Sequence, residues 1–156
     1  MSNSTSRDTS TPQHSVSVAG VVVREDGRVL VIRRADNGDW EPPGGVLERG
    51  ETVEEGVRRE VFEETGVEVR VGALTGVYKN MALGVVALVF RCTPEGGYAR
   101  TSDEAAAVEW VAADKAADSM GEVYGVRVKD ALRDGGPCVR AHDGRVLLPS
   151  EDVARS

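Results

Sequence analysis

Apolar and polar positions along the chain predict a set of short strands. The first apolar positions cluster at 16–23 and 29–32, and the turn-forming residues Glu25, Asp26 and Gly27 separate them. Because glycine reaches positive φ at no steric cost, residues 15–34 predict a β-hairpin. Further strands are predicted where apolar residues alternate at 67–71, where they run without interruption at 85–90 as in a central strand, and at 107–111.

A helix is predicted from Thr52 to Thr65. Thr52 and Glu55 have the spacing of a capping box, in which each side chain accepts a hydrogen bond from the other residue's backbone N–H. Gly66 suits the C-terminal end, since it tolerates the left-handed conformation that closes many helices. Gly56 lies inside the helix, where alanine is expected to be more stable by up to about 1 kcal/mol.

The C-terminal third predicts a second helix at 122–133, which ends before the run Gly135-Gly136-Pro137. It also predicts another hairpin at 138–148 with a turn at 142–144. Strands and helices therefore follow one another in irregular order. This order favours an α+β fold with a mixed β-sheet flanked by helices over regular βαβ winding.

The composition is that of one ordinary globular domain, with 156 residues of which 40% are hydrophobic and 29% charged. We expect residues 1–14, rich in Ser and Thr, to be a disordered leader and residues 15–150 to form the domain. Residues 151–156 are expected to be a C-terminal tail.

Net charge and hydropathy argue against nucleic acid and membrane as partners, and the cysteine content indicates the cellular compartment. A net charge of −7 argues against nucleic acid, although an anionic small molecule remains compatible if metal ions reverse the local field. Cys92 and Cys138 are too few for a disulfide framework, which indicates a reducing cytoplasm. No apolar run approaches the roughly 20 residues that span a bilayer, so no membrane partner is expected.

The helix at 52–65 carries acidic residues on its apolar face. Val57 and Val61 define that face, and at about 100° per residue Glu60 and Glu64 fall on it, with Glu63 at its edge. Glutamates at i and i+4 repel each other, and the negative end of the helix dipole disfavours them as well. Bound Mg²⁺ or Mn²⁺ would offset these costs. The alternative is a solvated charge run on a surface helix.

The segment from Gly45 to Val67 carries the most specific motif. Gly45 is followed after five residues by Glu51, after seven more by Arg59-Glu60, and then by Val61-Phe62-Glu63-Glu64-Thr65-Gly66-Val67. This segment resembles the Nudix box, Gly-x5-Glu-x7-Arg-Glu-U-x-Glu-Glu-x-Gly-U with U apolar, at every defined position. The chain is therefore similar to Nudix hydrolases, and its strand pattern over 15–133 resembles their fold.

The resemblance implies an α/β/α sandwich with the box as a loop and helix over a mixed sheet. It also implies an enzyme that uses divalent cations, Mg²⁺ or Mn²⁺, to cleave the diphosphate linkage of a nucleoside diphosphate derivative. By resemblance, Glu60, Glu63 and Glu64 are metal-binding carboxylates, and the carbonyl oxygen of Gly45 is a further ligand.

Other residues are given catalytic roles by the same resemblance. Glu51 and Arg59 resemble the pair that braces the loop against the helix, and an ordinary exposed helix arginine is the alternative for Arg59. Glu104 precedes the strand of Trp110, where many members carry another acid, and a plain surface acid is the alternative there. As the base that takes a proton from water, Glu64 ranks before Glu104 and Glu51.

Three residues are candidates for substrate binding. Arg34 resembles a position that contacts phosphate in some members, and a solvated strand-end arginine is the alternative. Gly44 allows a phosphate to approach the main chain closely. Trp40, like Tyr78 and Tyr124, offers a ring that either stacks on a base or packs in the core.

The segment from Trp40 to Gly45 resembles that of members that cleave nucleoside triphosphates. A (d)NTP-type substrate is therefore favoured over ADP-ribose or a nucleotide sugar. Pro42 departs from the family pattern and is expected to end the local strand early. Two alternatives stay open: a non-catalytic Nudix-fold module that binds a nucleotide or regulates, and an isomerase that keeps the box. A homodimer is also compatible with the sequence.

Overall fold

Eight strands and three helices occupy residues 10–149, the part of the chain described by this computed structural model. The strands are β1 (Ser15–Val22), β2 (Arg28–Arg34), β3 (Trp40–Glu41), β4 (Gly44–Val46), β5 (Val67–Asn80), β6 (Val85–Gly97), β7 (Ala105–Ala112) and β8 (Cys138–His142). The helices are α1 (Val53–Thr65), α2 (Ala113–Asp118) and α3 (Glu122–Leu132). Residues 1–9 of the expected leader and the expected tail at 151–156 lie outside the described residues, whereas 10–14 are exposed and form neither helix nor strand.

The strands form two sheets. The larger sheet has the order β4-β1-β6-β5-β8, with β1 parallel to β6, β5 parallel to β8 and the other neighbours antiparallel. The smaller sheet is antiparallel and has the order β3-β2-β7. The expected mixed sheet is confirmed, and the uninterrupted apolar run at 85–90 does form its central strand.

The hairpin predicted at 15–34 is wrong in its pairing. The turn is present, with Gly27 at φ 86° and the N–H of Arg24 bonded to the carbonyl oxygen of Arg28 at 2.9 Å. Beyond a single bridge between Val23 and Val29, however, β1 pairs with β4 and β6, and β2 pairs with β3 and β7. Alternation of apolar residues specifies a strand and its buried face, but it does not specify the partner strand.

Successive residues of β1 face different helices, because side chains alternate across a strand. One apolar cluster joins Val18 and Val22 to α1, and another joins Ala19 and Val21 to α2 and α3. The sheets therefore lie between α1 and the pair α2/α3, and the expected α/β/α sandwich is confirmed. The main buried contacts from the helices are Val57, Val61, Ala116, Ala117, Val128 and Ala131.

Both predicted helices are confirmed. Thr52 and Glu55 form the capping box, and Gly66 closes α1 at φ 78°. The helix predicted at 122–133 is α3, whereas the short α2 has no capping side chain to signal its start and was not predicted. The structure shows no helix within residues 10–149 that is long and apolar enough to cross a bilayer.

The C-terminal hairpin is only partly formed. Its first arm is β8, which pairs in parallel with β5. The second arm makes a single bridge between His142 and Leu147 and one bond from the N–H of Leu148 to Ala141, so it is not a strand. The early strand end expected at Pro42 is present, since β3 stops at Glu41.

Candidate active site

The glycines before α1 are seated between β1 and the helix. A Cβ on Gly44 would collide with the carbonyl oxygen of Val18 and lie 2.7 Å from Cβ of Ala19, because β4 pairs directly with β1 here. A Cβ on Gly45 would lie 2.5 Å from the carboxylate of Glu60. The two glycines are therefore required for close approach, and neither has positive φ.

The acidic face of α1 points at this glycine loop. Glu60 and Glu64 are buried, with relative exposures of 9% and 5%. Glu64 Oε1 accepts a 2.8 Å hydrogen bond from the backbone N–H of Gly44. Glu63, the residue before Glu64 in α1, is exposed. The solvated-helix alternative is therefore wrong for Glu60 and Glu64.

Arg59 connects the loop to the helix. Its guanidinium donates two hydrogen bonds to the Glu51 carboxylate, at 2.6 and 2.9 Å, and one to the carbonyl oxygen of Val46 at 3.2 Å. The remaining nitrogen, Nη1, donates to Glu60 at 2.9 Å and to Glu63 at 3.1 Å. Arg59 is thus engaged on every side and is not an ordinary exposed helix arginine.

Burial makes both inward-facing glutamates hard to ionise. The pKa of Glu64 is raised to about 8, mainly by burial and also by the nearby carboxylates of Glu60 and Glu104, against the opposing effect of the hydrogen bond from Gly44. Burial also raises the pKa of Glu60, although Arg59 opposes the shift. Carboxylates that lose solvation without full compensation favour a cation nearby.

The donor set at this point suits a hard divalent cation. Carboxylate and backbone carbonyl oxygens are the ligands that Mg²⁺ prefers, and Glu60, Glu63, Glu64 and Gly45 supply both kinds. Gly45 fits closely against Glu60, so a larger residue there would displace the Glu60 carboxylate. Among residues 10–149 no three acidic, His or Cys side chains are already clustered as a metal cage. Arg59 donates to Glu60 Oε2 and to Glu63 Oε1, so the other oxygen of each carboxylate is open to a cation.

Glu104 lies at the outer edge of the site. It shares a hollow of about 180 Å³ with Glu63, Glu64, Ser102 and Asp103. Its own side chain is exposed, and its carbonyl oxygen accepts a 2.9 Å bond from the N–H of Ala35. The loop before β7 therefore brings this fourth carboxylate to the end of α1, as the sequence predicts.

The candidates for substrate binding are divided between two cavities. A cavity of about 210 Å³ is lined by Arg34, Gly44 and Gly45. Arg34 is held there by Asp36, at 2.6 and 2.9 Å, and by Glu41 at 3.1 Å. Trp40 instead packs against the core and lines a neighbouring hollow with Tyr124.

The sequence analysis did not single out two charged residues that line the same cavity as Arg34, namely Glu41 and Arg127. Both are buried, at 6% and 7% relative exposure. The signal for Arg127 was present, because it lies four residues after Val123 and four before Ala131 on the buried face of α3. A charged residue inside such an apolar stripe indicates a specific role.

Comparison with known proteins agrees with this geometry. The NUDIX domain family model matches residues 13–129. A MutT-like protein from Streptomyces ambofaciens is 64% identical over 142 residues, which cover 91% of this chain and 92% of that protein. An ADP-ribose pyrophosphatase from Methanocaldococcus jannaschii is 38% identical over 103 residues, 62% of this chain and 60% of that protein.

A solved structure shows the same fold. The crystal structure of a NUDIX hydrolase from Nitrosomonas europaea superposes with a TM-score of 0.73 at 23% identity, covering 85% of this chain and 82% of that one. The chain belongs to the Nudix family. Within that family it is a Nudix pyrophosphohydrolase.

Proposed function

We propose that this protein hydrolyses the diphosphate linkage of a nucleoside diphosphate derivative. The cation, Mg²⁺ or Mn²⁺, is held by Glu60, Glu63, Glu64 and the carbonyl oxygen of Gly45. The observation that carries the proposal is the burial of Glu60 and Glu64 against the glycine loop. Such burial costs free energy in the protein alone and is offset when a cation binds the same oxygens.

A bound divalent cation neutralises charge on the diphosphate oxygens and makes attacking water more acidic. The protein's own side chains hold the metal ligands in position. Arg59 joins Glu51 and the carbonyl oxygen of Val46 on the loop to Glu60 and Glu63 on the helix. Residues that hold ligands in this way preserve their orientation, so Arg59 and Glu51 act as positioning residues.

Glu64 is the first choice for the base. Its Oε1 accepts the hydrogen bond from the N–H of Gly44, which orients the carboxylate and leaves its other lone pairs to bind the cation and to accept the water proton. The water oxygen then bonds to phosphorus, the P–O–P bridge breaks and the leaving phosphate keeps the electron pair. Burial raises the pKa of Glu64 to about 8 in the protein alone, and a cation held by the same carboxylate would lower that pKa, so that the group is ionised and can accept a proton near neutral pH.

The other two glutamates rank lower as bases for different reasons. The hydrogen bond from Arg59, followed by that from the N–H of Glu48, lowers the pKa of Glu51 to about 2, so Glu51 is a poor proton acceptor. Glu104 lies exposed at the rim beside Glu64 and is the second choice.

A (d)NTP-type substrate is favoured over ADP-ribose or a nucleotide sugar. The relative that matches nearly the whole chain bears the name MutT-like, whereas the ADP-ribose pyrophosphatase matches about three fifths of it. The cavity beside the glycine loop, about 210 Å³, is below the roughly 300–1,000 Å³ of pockets that enclose an entire small molecule. It suits one moiety, such as a base.

The proposal assigns this activity to a single domain over residues 15–150. The protein acts in the cytoplasm on a small molecule, with neither nucleic acid nor membrane as partner. A homodimer is compatible with the assignment, because the residues named for the site all come from one chain.

The test is phosphate and pyrophosphate release from a panel of nucleoside triphosphates, ADP-ribose and nucleotide sugars, with and without Mg²⁺ or Mn²⁺. Glu64→Gln removes the charged ligand and base while keeping side-chain size, and Glu54→Gln on the exposed first turn of α1 is the matched control. We expect metal-dependent turnover that only Glu64→Gln abolishes.

Two results would contradict the proposal. Equal turnover in EDTA would show that no divalent cation is needed. Full activity of Glu64→Gln would show that the assigned site is not where hydrolysis takes place. The substrate preference is tested separately, because ADP-ribose as the best substrate by kcat/KM would overturn the (d)NTP assignment and leave the hydrolase intact.

A further inference from the structure

The cavity beside the glycine loop contains charged groups that the hydrolysis of a diphosphate does not use. Gly44 and Gly45 line it, and the same two glycines pack against Glu64 and Glu60, so the cavity and the glutamates of α1 share the glycine loop. Its walls bring together Glu41 from β3 with Tyr124 and Arg127 from α3. A substrate whose diphosphate lies against α1 would place its neighbouring moiety here.

Arg127 is a buried cation with an unused hydrogen-bond donor. It is 7% exposed, and its Nε has no hydrogen-bond partner among the described residues. Its guanidinium lies 4.9 Å from the ring centre of Tyr78 and 4.7 Å from that of Tyr124, and Nη2 is 3.4 Å from Nε2 of His142. The rings hold the guanidinium in place, and its N–H groups without a partner among the described residues, Nε included, are left for a ligand.

Glu41 is the matching acceptor. It is 6% exposed, and its Oε1 accepts a 3.1 Å hydrogen bond from Arg34. The Glu41 carboxylate is also attracted electrostatically by Arg127. A carboxylate offers about four lone-pair sites, so Glu41 has acceptor capacity beyond the single bond to Arg34.

These groups define the kind of ligand that the cavity suits. Arg34 and Arg127 are positively charged and Glu41 offers an acceptor, so a ligand here meets donors and an acceptor side by side. An apolar group would leave the donor of Arg127 and the acceptor of Glu41 buried and unsatisfied. The ligand that fits is polar, with a donor next to an acceptor on one edge. A nucleobase has this character.

We propose that Glu41 and Arg127 determine substrate specificity by reading the hydrogen-bonding edge of a nucleobase in this cavity, an inference that rests on the proposed function. The base accepts a hydrogen bond from Arg127 Nε and donates to the Glu41 carboxylate, and Tyr124 supplies apolar contact. Among common bases guanine fits best, because its carbonyl oxygen stands beside a ring N–H and an amino group, two donors for one carboxylate.

The experiment compares GTP, ITP, ATP and CTP with ribose 5-triphosphate, which lacks a base. The variants are Glu41→Gln, which keeps size and removes charge, and Arg127→Lys, which keeps charge and removes Nε. Glu109→Gln is the matched control, because Glu109 is exposed on β7 of the same small sheet. Thermal unfolding of each variant checks that it is folded.

We expect GTP to have the highest kcat/KM, and ITP, without the amino donor, to rank below it. The ratio of kcat/KM for GTP to that for ribose 5-triphosphate is expected to fall at least about tenfold in each cavity variant, mainly through KM, because a site built for hydrogen bonds discriminates strongly. Glu109→Gln is expected to retain the wild-type ratio. If the ratio in folded Glu41→Gln equals that of the wild type, or if ATP or CTP exceeds GTP, the inference is overturned.

Binding separates this inference from the proposed function. Affinity for a non-hydrolysable α,β-methylene analogue of GTP is measured by calorimetry for wild type and Glu41→Gln. If nothing is hydrolysed but the analogue binds at least about tenfold more weakly to the variant, base reading stands while the hydrolase proposal fails. Equal affinity of the two proteins would overturn base reading even if hydrolysis is observed. If Arg127→Lys does not fold, Glu41→Gln decides alone.

Discussion

The backbone N–H of Gly44 donates a 2.8 Å hydrogen bond to Oε1 of Glu64, twenty residues later in the chain. This bond joins the loop to the last turn of α1 and orients the Glu64 carboxylate. Gly45 packs so closely on Glu60 that an added Cβ would lie 2.5 Å from its carboxylate. Loop and helix therefore form one unit, and several variants should disturb it in different ways.

Gly45→Ala is expected to reduce activity without unfolding the protein. The added Cβ would lie 2.5 Å from the Glu60 carboxylate, which must move. We expect kcat/KM to fall at least about tenfold, as for other disturbed metal ligands, with a loss of about 1–3 kcal/mol of stability from overpacking. Gly50→Ala is the control, since a Cβ there meets no atom within 4 Å. Similar activity in the two variants would show that the fit of Gly45 is unimportant.

Arg59→Lys is expected to behave as a non-conservative change. Lysine keeps the charge but cannot reach Glu51, Val46 and Glu60 at once with a planar fork of donors. We expect kcat/KM to fall about 10–100-fold and metal affinity to weaken, since residues behind ligands have effects of that size. Steady-state kinetics and a metal titration measure both. The neighbour Arg58 is exposed, so Arg58→Lys serves as the control and should match the wild type.

Gly56→Ala tests whether packing outweighs helix propensity. Alanine is favoured inside a helix by up to about 1 kcal/mol. Here, however, a Cβ would lie 2.5 Å from Leu47 Cδ1 and 3.1 Å from Glu51 Oε1, and overpacking costs about 1–3 kcal/mol. We expect a net loss of up to about 2 kcal/mol in urea unfolding and weaker bracing of Arg59 by Glu51. A stabilised variant would show that Leu47 rotates aside freely.

Asp130→Asn is expected to destabilise the protein at neutral pH. Asp130 is 4% exposed and accepts hydrogen bonds from Tyr78 at 2.8 Å and from Arg140 at 2.7 and 2.8 Å. A hydrogen bond to a charged group contributes about 1.5–3 kcal/mol, and asparagine keeps one acceptor oxygen, so we expect a net loss of about 1–3 kcal/mol at pH 7. Asp118→Asn is the control, because Asp118 is exposed at the end of α2.

The same variant should show a pH dependence of known sign. Although burial raises the pKa of Asp130, the bonds from Arg140 and Tyr78 outweigh it, and the pKa is lowered in the folded protein. The folded state thus binds this proton more weakly than the unfolded state. Its stabilising effect is present above the ordinary carboxyl pKa and is lost as pH falls through the folded value. The stability difference between wild type and Asp130→Asn should shrink from pH 7 to pH 3, and a constant difference would contradict the ion pair.

The sequence was most informative where structure depends on neighbours along the chain. The capping box of Thr52 and Glu55, the end of α1 at Gly66 and the inward position of Glu60 and Glu64 follow from short spacings. Helix periodicity and backbone hydrogen bonds close within a few residues, so a local pattern contains the necessary information. The family resemblance rests on the same local segment.

Only the tertiary structure decided which distant residues meet. β1 and β2 leave a common turn and join different sheets, because β6 and β7 compete for their edges. Glu41 and Arg127 share a cavity although they are far apart in sequence, and no spacing relates them. Strand pairing and the walls of a cavity depend on contacts between residues far apart in sequence. A given apolar pattern is compatible with several partner strands, so the pattern alone does not select one. The chain alone therefore determined the acidic helix that we propose binds metal, whereas the fold determined the cavity that we propose reads the base.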